Sequence, residues 1–193
     1  MLSAIIKQLN WVDVFILIVL LRIIYIAIKN GLFPELFKLL GTVFALYLSW
    51  HYYSRLSEAI SGRLSLTGAS LQTVALLIFL GLASVGYLFF GLLRRIFCRL
   101  FKMESLPKLD KWGGFILGIA RGLIYCGMLL FMFAISPIPY LNQSLGRSYF
   151  AAQVLEVPNR VYTLLWQVVV SKFMPNDKIN EQPFKVSNSL SQK

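Results

Sequence analysis

Leu106-Pro107-Lys108-Leu109-Asp110-Lys111-Trp112-Gly113-Gly114-Phe115-Ile116-Leu117-Gly118-Ile119-Ala120-Arg121-Gly122 opens the last long apolar segment of the chain. Wound as an α-helix, this stretch puts Gly114, Gly118 and Gly122 on one face, because residues four apart are neighbours on a helix surface. The result is a groove without side chains, the pattern that lets helices approach closely inside a bilayer. Arg121 stands beside the groove in otherwise apolar sequence. An ionisable group at membrane depth is costly to desolvate, which makes it a candidate functional residue.

The surrounding composition agrees with a bilayer setting. Of 193 residues, 58% are hydrophobic and 14% charged, with a mean hydropathy of +0.69; soluble domains carry about a quarter charged residues. Four apolar segments are long enough to span, since about 20 residues cross the hydrocarbon. Helix 1 is expected from Trp11 to Ile28, interrupted by Asp13 and Arg22, and helix 2 from about Pro34 to Tyr53. Gly31 is placed as the terminator between them and Pro34 as a first-turn proline. An exposed loop with room for one short surface helix is expected from Ser54 to Ser70, then helix 3 from about Leu71 to Leu93 and helix 4 from about Lys111 to Ile135. Asp110 is read as the N-cap of helix 4, and Ser136-Pro137-Ile138-Pro139 as its stop. The fold class is therefore all-α, a polytopic membrane protein of four transmembrane helices arranged as two antiparallel hairpins.

Beyond the spans, residues 137–174 read as an extramembrane segment. Asn159 to Met174 is too short to span but amphipathic, with Tyr162, Trp166, Val169 and Phe173 on one side, so an interfacial helix is expected. Residues 175–193 are polar and read as a disordered tail. The four-helix domain occupies residues 1–136.

The formal charge of +11 does not point to nucleic acid, because the basic residues collect between apolar segments, where they set topology and contact anionic lipid. Eight Lys and Arg residues (Lys29, Lys38, Arg94, Arg95, Arg99, Lys102, Lys108, Lys111) flank the first and third connections. Only Lys7, Arg55, Arg63 and Arg147 flank the other side. The basic connections are thus assigned to the cytoplasm and both termini to the outside.

Catalytic chemistry is hard to assemble from these residues. Neither a phosphate-binding glycine loop nor a dinucleotide fingerprint is present. Cys98 and Cys126 form no pairing motif, no cofactor is implied, and no metal site is expected. His51, the only histidine, lies among Trp50, Tyr52 and Tyr53, an aromatic cluster read with Trp11 as an interfacial belt. Asp13 lies near the same end, where a contact with His51 would orient two helices. Glu35, in the first turn of helix 2, is favoured there by the helix dipole and is placed to pair with Lys29 or Lys38. Arg22 and Arg121 come to similar depth near the midplane at about 1.5 Å per residue. No acid is expected at that depth, so the two arginines either snorkel or face an anion-friendly crevice.

Two blocks carry a resemblance. The first is Trp11-Val12-Asp13, then Asn30-Gly31-Leu32-Phe33-Pro34-Glu35, then His51-Tyr52-Tyr53; the second runs from Leu106 to Gly122 with Asp110, Lys111, Gly114, Gly118, Arg121 and Gly122 in register. They resemble the CvpA family, the colicin V production proteins of bacterial inner membranes, over about residues 9–135. The arginine that the family carries before Gly31 is Asn30 here. The resemblance implies an inner-membrane protein involved in toxin production or export or in envelope function, and it supplies no catalytic residue. Two other readings remain open: a small transporter or channel subunit with an anion path at Arg22 and Arg121, and a scaffold that clasps a partner helix, or a second copy, in the Gly114/Gly118/Gly122 groove.

Overall fold

A computed structural model of the chain describes residues 10–64, 67–100, 107–174 and 177–191. Lys7, Lys102, Leu106 and Pro175 fall outside the described residues. Everything regular within them is helical: α1 Trp11–Asn30, α2 Leu32–Leu64, α3 Ala69–Leu100, α4 Pro107–Ile135, α5 Pro139–Gly146, α6 Ala151–Leu165, a π-helical turn Trp166–Val170, α7 Ser171–Phe173 and α8 Gln182–Ser191. The first four are long and apolar enough to cross a membrane, so the chain is an all-α, multi-pass membrane protein.

Local chemistry sets the helix starts. Asn10 caps α1 with a capping box: its side chain accepts from the first turn, while Asp13 accepts from the Asn10 amide at 2.8 Å. Gly31, at φ +81° and ψ 179°, ends α1 and is the whole connection to α2. Pro107 and Pro139 open α4 and α5, where the missing N–H is no loss.

α2 is longer than expected. The Ser54–Ser70 stretch, expected as a loop, continues helically to Leu64. Its serines remain compatible with the helix by bonding back to the preceding turn, as Ser57 Oγ does to the Ser54 carbonyl at 2.8 Å. At about 1.5 Å per residue, such a helix outreaches a hydrocarbon core about 30 Å thick.

The expected hairpin pairing is corrected. α1 packs chiefly on α4, and α2 on α3 and α4, while α1 barely touches α2. On α3, Gly86 explains the tight α2–α3 fit: a Cβ there would lie 2.7 Å from the Ala45 Cα, whereas Gly81 and Gly91 face open space.

The core lies where α2, α3 and α4 meet. Trp50, Tyr53, Phe79 and Phe131 form one aromatic cluster, with the Trp50 and Phe131 rings 4.5 Å apart. Trp50 is fully buried and donates through Nε1 to Asn159 Oδ1 at 3.0 Å. It is therefore a core residue, not the belt residue expected beside Trp11.

The C-terminal region wraps this core. α6 sets Val154, Leu155, Pro158, Asn159 and Tyr162 inward, and Pro158 closes on Gly127 of α4. The apolar line expected on Asn159–Met174 divides: Tyr162 is buried, while Val169 and Phe173 are exposed. In place of the expected disordered tail, residues 177–191 are seated. Asn180 Nδ2 donates to the Trp50 carbonyl at 2.6 Å and to Ser54 Oγ at 2.9 Å, and α8 follows.

Candidate functional site

The glycine stripe of α4 faces α1. A Cβ at Gly114 would lie 2.6 Å from the Ala27 carbonyl oxygen, one at Gly118 would overlap the Ala27 Cβ, and one at Gly122 would lie 2.7 Å from Leu20. α1 thus fills the groove from within the chain. This corrects the reading of the stripe as a clasp for a partner helix, because the surface that such a helix would need is already buried.

Close approach of α1 and α4 delivers Asp110 to the α1–α2 turn. Its Oδ1 accepts from the Leu32 amide at 2.7 Å, and any Cβ on Gly31 would overlap its carboxylate. Asp110 is therefore not the N-cap of α4, which already begins at Pro107; it caps α2. A carboxylate suits that position, where unpaired N–H groups carry the positive end of the helix dipole.

One turn further along α2, Glu35 is fully buried and meets Arg121 of α4, with Nε 2.6 Å from Oε1; its other oxygen lies 3.2 Å from Lys38 Nζ. Of the two partners expected for Glu35, Lys29 and Lys38, the contact is with Lys38. The Arg121 contact overturns the expectation that no acid shares the depth of the arginines. The Arg121 Nε and Glu35 Oε1 atoms face each other at close range without an aligned hydrogen bond, so each lacks a directional partner. Such a pair holds mainly by Coulomb attraction, which is strong at low dielectric. Desolvation offsets much of that gain, and removing one partner leaves a bare buried charge.

Arg121 also borders a crevice of about 550 Å³ to which all four spanning helices contribute: Arg22, Ile23 and Ile26 from α1, Thr42 from α2, Tyr87 from α3, and Tyr125 and Leu129 beside Arg121 on α4. Arg22 is exposed, and no acid or acceptor pairs with it among the described residues. A second, smaller cavity of about 160 Å³ lies toward the basic end, lined by Lys38, Arg94, Arg95, Phe90 and Gly91. Tyr87 lines both cavities. Glu35 joins them electrostatically, since Lys38 belongs to one and Arg121 to the other.

Asp13 and His51 do not meet. Asp13 holds the α5–α6 turn: Oδ1 accepts from Ser148 Oγ at 2.6 Å and from the Phe150 amide at 3.0 Å. His51 is buried, not interfacial. Its Nδ1 lies 2.9 Å from the Tyr162 hydroxyl and its Nε2 2.9 Å from Asp177 Oδ2. Tyr162 Oη already accepts from the Asn180 amide at 3.1 Å, so its proton is free to go to His51, and His51 then donates to Asp177. Arg55 clamps the other Asp177 oxygen at 2.7 Å. That guanidinium holds the Asp177 carboxyl down to about 2, while burial pushes the Tyr162 hydroxyl up to about 12. Sequence reading missed this cluster because its acid comes from a segment more than a hundred residues away. Among the described residues, no three His, Cys, Asp or Glu side chains converge on a position for a metal ion.

Of the residues singled out from the sequence, then, Gly31 and Asp110 form one unit and Glu35 and Arg121 another, with Arg22 across the crevice. Gly114, Gly118 and Gly122 bring both units together by admitting α1, and Asp13 stands apart at the opposite end of α1. A family model described as "Colicin V production protein" matches residues 12–158, which includes all of these residues. No curated protein and no solved structure matches the chain.

Proposed function

Because the chain belongs to the Colicin V production protein family, we propose that it acts without catalysis in the bacterial inner membrane, in toxin production or export or in envelope function, by holding an organic anion in the four-helix crevice. The observation that carries this reading is the convergence of Arg22 and Arg121 on a single cavity whose lining contains no acid. Intramembrane charges that face a cavity mark substrate and ion pathways. At about 550 Å³ the crevice has the size of sites for organic molecules. Its aliphatic walls suit an apolar body, and Arg22, Tyr87 and Tyr125 suit an anionic head.

The basic end is assigned to the cytoplasm, where Arg94 and Arg95 lie against anionic lipid, and both termini are assigned to the outside. The exposed Leu164, Val168, Val169 and Phe173 then rest on the outer bilayer surface. Binding of naphthalene-2-sulfonate to the purified chain in zwitterionic nanodiscs tests the reading. Arg22→Gln, at an exposed unpaired position, is expected to weaken binding at least about tenfold, the worth of one charge-assisted contact. Equal affinity in that variant, or no protein-dependent binding by the parent chain, refutes it. Uptake of the same probe by proteoliposomes tells holding from passage.

A further inference from the structure

We propose that the anion of the crevice is the headgroup of an anionic glycerophospholipid, which enters sideways from the bilayer between α1 and α3 and leaves its acyl chains in the hydrocarbon. The inference rests on the crevice being an anion site and adds the class of molecule that fills it. Its basis is where the crevice opens. α1 and α3 share no packed interface, yet residues of both line the cavity, so a gap is left between them. Four lining residues are exposed: Arg22 and Ile26 of α1, Tyr87 of α3 and Tyr125 of α4. All four lie within the spanning helices, at a depth where the bundle is surrounded by hydrocarbon. A soluble anion would have to cross that hydrocarbon to reach the gap, whereas a lipid is already there.

The charges inside call for an anion and mark the way its head arrives. Arg121 is more than nine-tenths buried, and its Nη groups donate to no acceptor among the described residues. Glu35 is a single carboxylate set between Lys38 and Arg121, while Arg94 and Arg22 stand beyond them with no acid in the lining of either cavity. The cluster thus keeps excess positive charge at membrane depth, which is costly until an anion joins it. The smaller cavity continues the series toward the basic end with Lys38, Arg94 and Arg95, and it meets the crevice at Tyr87. Its wall includes the exposed Leu88, so this cavity too borders lipid along α3. A phosphate head passes from the leaflet at the basic end to Arg121 and Arg22 by exchanging one cation for the next, with its chains against Leu88 and Ile26. A phosphate diester suits the end of that path, because it bears one negative charge and accepts hydrogen bonds from both guanidinium groups.

The experiment measures lipid binding to the purified full chain in dodecyl maltoside by native mass spectrometry, with three ligands titrated separately. They are phosphatidylglycerol, phosphatidylcholine, and glycerophosphoglycerol, which is the first head without its chains. Phosphatidylglycerol is expected to bind at least about tenfold more tightly than phosphatidylcholine, whose choline cation cancels the charge. Arg22→Gln is expected to remove at least about tenfold of that affinity. Naphthalene-2-sulfonate should displace the bound phosphatidylglycerol, and glycerophosphoglycerol should neither bind at lipid concentrations nor displace the probe. If the parent chain and Arg22→Gln hold phosphatidylglycerol equally, or the probe does not displace it, the lipid sits elsewhere on the surface and the proposal is refuted. Binding of glycerophosphoglycerol as tight as that of the lipid means that the anion comes from water, which also overturns the lipid assignment. In each of these cases probe binding by the parent chain leaves the crevice an anion site. Absence of probe binding refutes the crevice reading itself, and the lipid proposal with it.

Discussion

Gly31→Ala attacks the point where α1, α2 and α4 are fastened, and its cost can be worked out from the geometry. Gly31 stands at φ +81° and ψ 179°, a region that essentially only glycine occupies, so an alanine there carries about 1–3 kcal/mol of strain. Its Cβ also occupies the place of the Asp110 carboxylate, which must withdraw from the Leu32 amide it caps at 2.7 Å. Losing a helix cap costs about 1–2 kcal/mol. The single variant should thus lose about 2–5 kcal/mol before any residual clash is counted. Asp110→Ala alone should lose only the cap, about 1–2 kcal/mol. The double variant keeps the strain but loses the cap once and feels no clash, so it should fall short of the sum of the singles by about 1–2 kcal/mol. Reversible unfolding in mixed SDS micelles, followed by tryptophan fluorescence, measures all three. Additivity within about 0.5 kcal/mol would mean that Gly31 and Asp110 act independently and that the capping geometry is wrong.

Other perturbations separate the remaining parts of the architecture. Glu35→Leu leaves Arg121 buried without its counter-charge and should cost about 3–5 kcal/mol, whereas Glu35→Leu with Arg121→Leu should recover most of that loss; the same unfolding assay decides, and a double variant as unstable as the single one contradicts the pairing. Gly127→Leu should drive α6 off α4 at Pro158, destabilising the chain by about 1–3 kcal/mol and exposing residues 151–165 to limited proteolysis, while leaving crevice binding intact; unchanged protease resistance counts against the contact. For Asp177, the folded value of about 2 lies below the ordinary 3.8. Its stabilisation of the 177–180 segment is therefore present above about pH 4 and lost as pH falls toward 2. Protection of the Asn180 amide against hydrogen exchange, taken relative to its intrinsic rate at each pH, should hold from pH 8 to 5 and fall between 4 and 2, a change that Asp177→Asn abolishes; protection that persists at pH 2 rejects the clamp.

The membrane class, the four spans and the Gly31 turn were legible in the sequence because they depend on local pattern. Apolar length and helix-breaking residues act within a few positions of where they occur, and Ser136 to Pro139 stops α4 by chemistry that needs no partner. The Glu35–Lys38 pair was legible for the same reason, since three residues on a helix bring side chains together. Helix ends were less so: the serines with Gly62 and Gly68 beyond Ser54 look like a loop, yet the tertiary contacts of Ser54 and Asn180 hold the start of the extension in place.

What the sequence determined by itself is that helix 4 carries a groove with an arginine beside it, and that the motif from Asp110 to Gly122 stands in register. Which helix fills the groove, which amide Asp110 caps and which acid meets Arg121 were decided only by the tertiary structure. Leu32 and Asp110 are separated by 78 positions, and Glu35 and Arg121 by a similar span. No periodicity reports a contact between residues so far apart, because their meeting depends on α1 closing into the glycine face and carrying the start of α2 with it. The charge at the midplane is written in the sequence; the carboxylate that balances it is supplied by the fold.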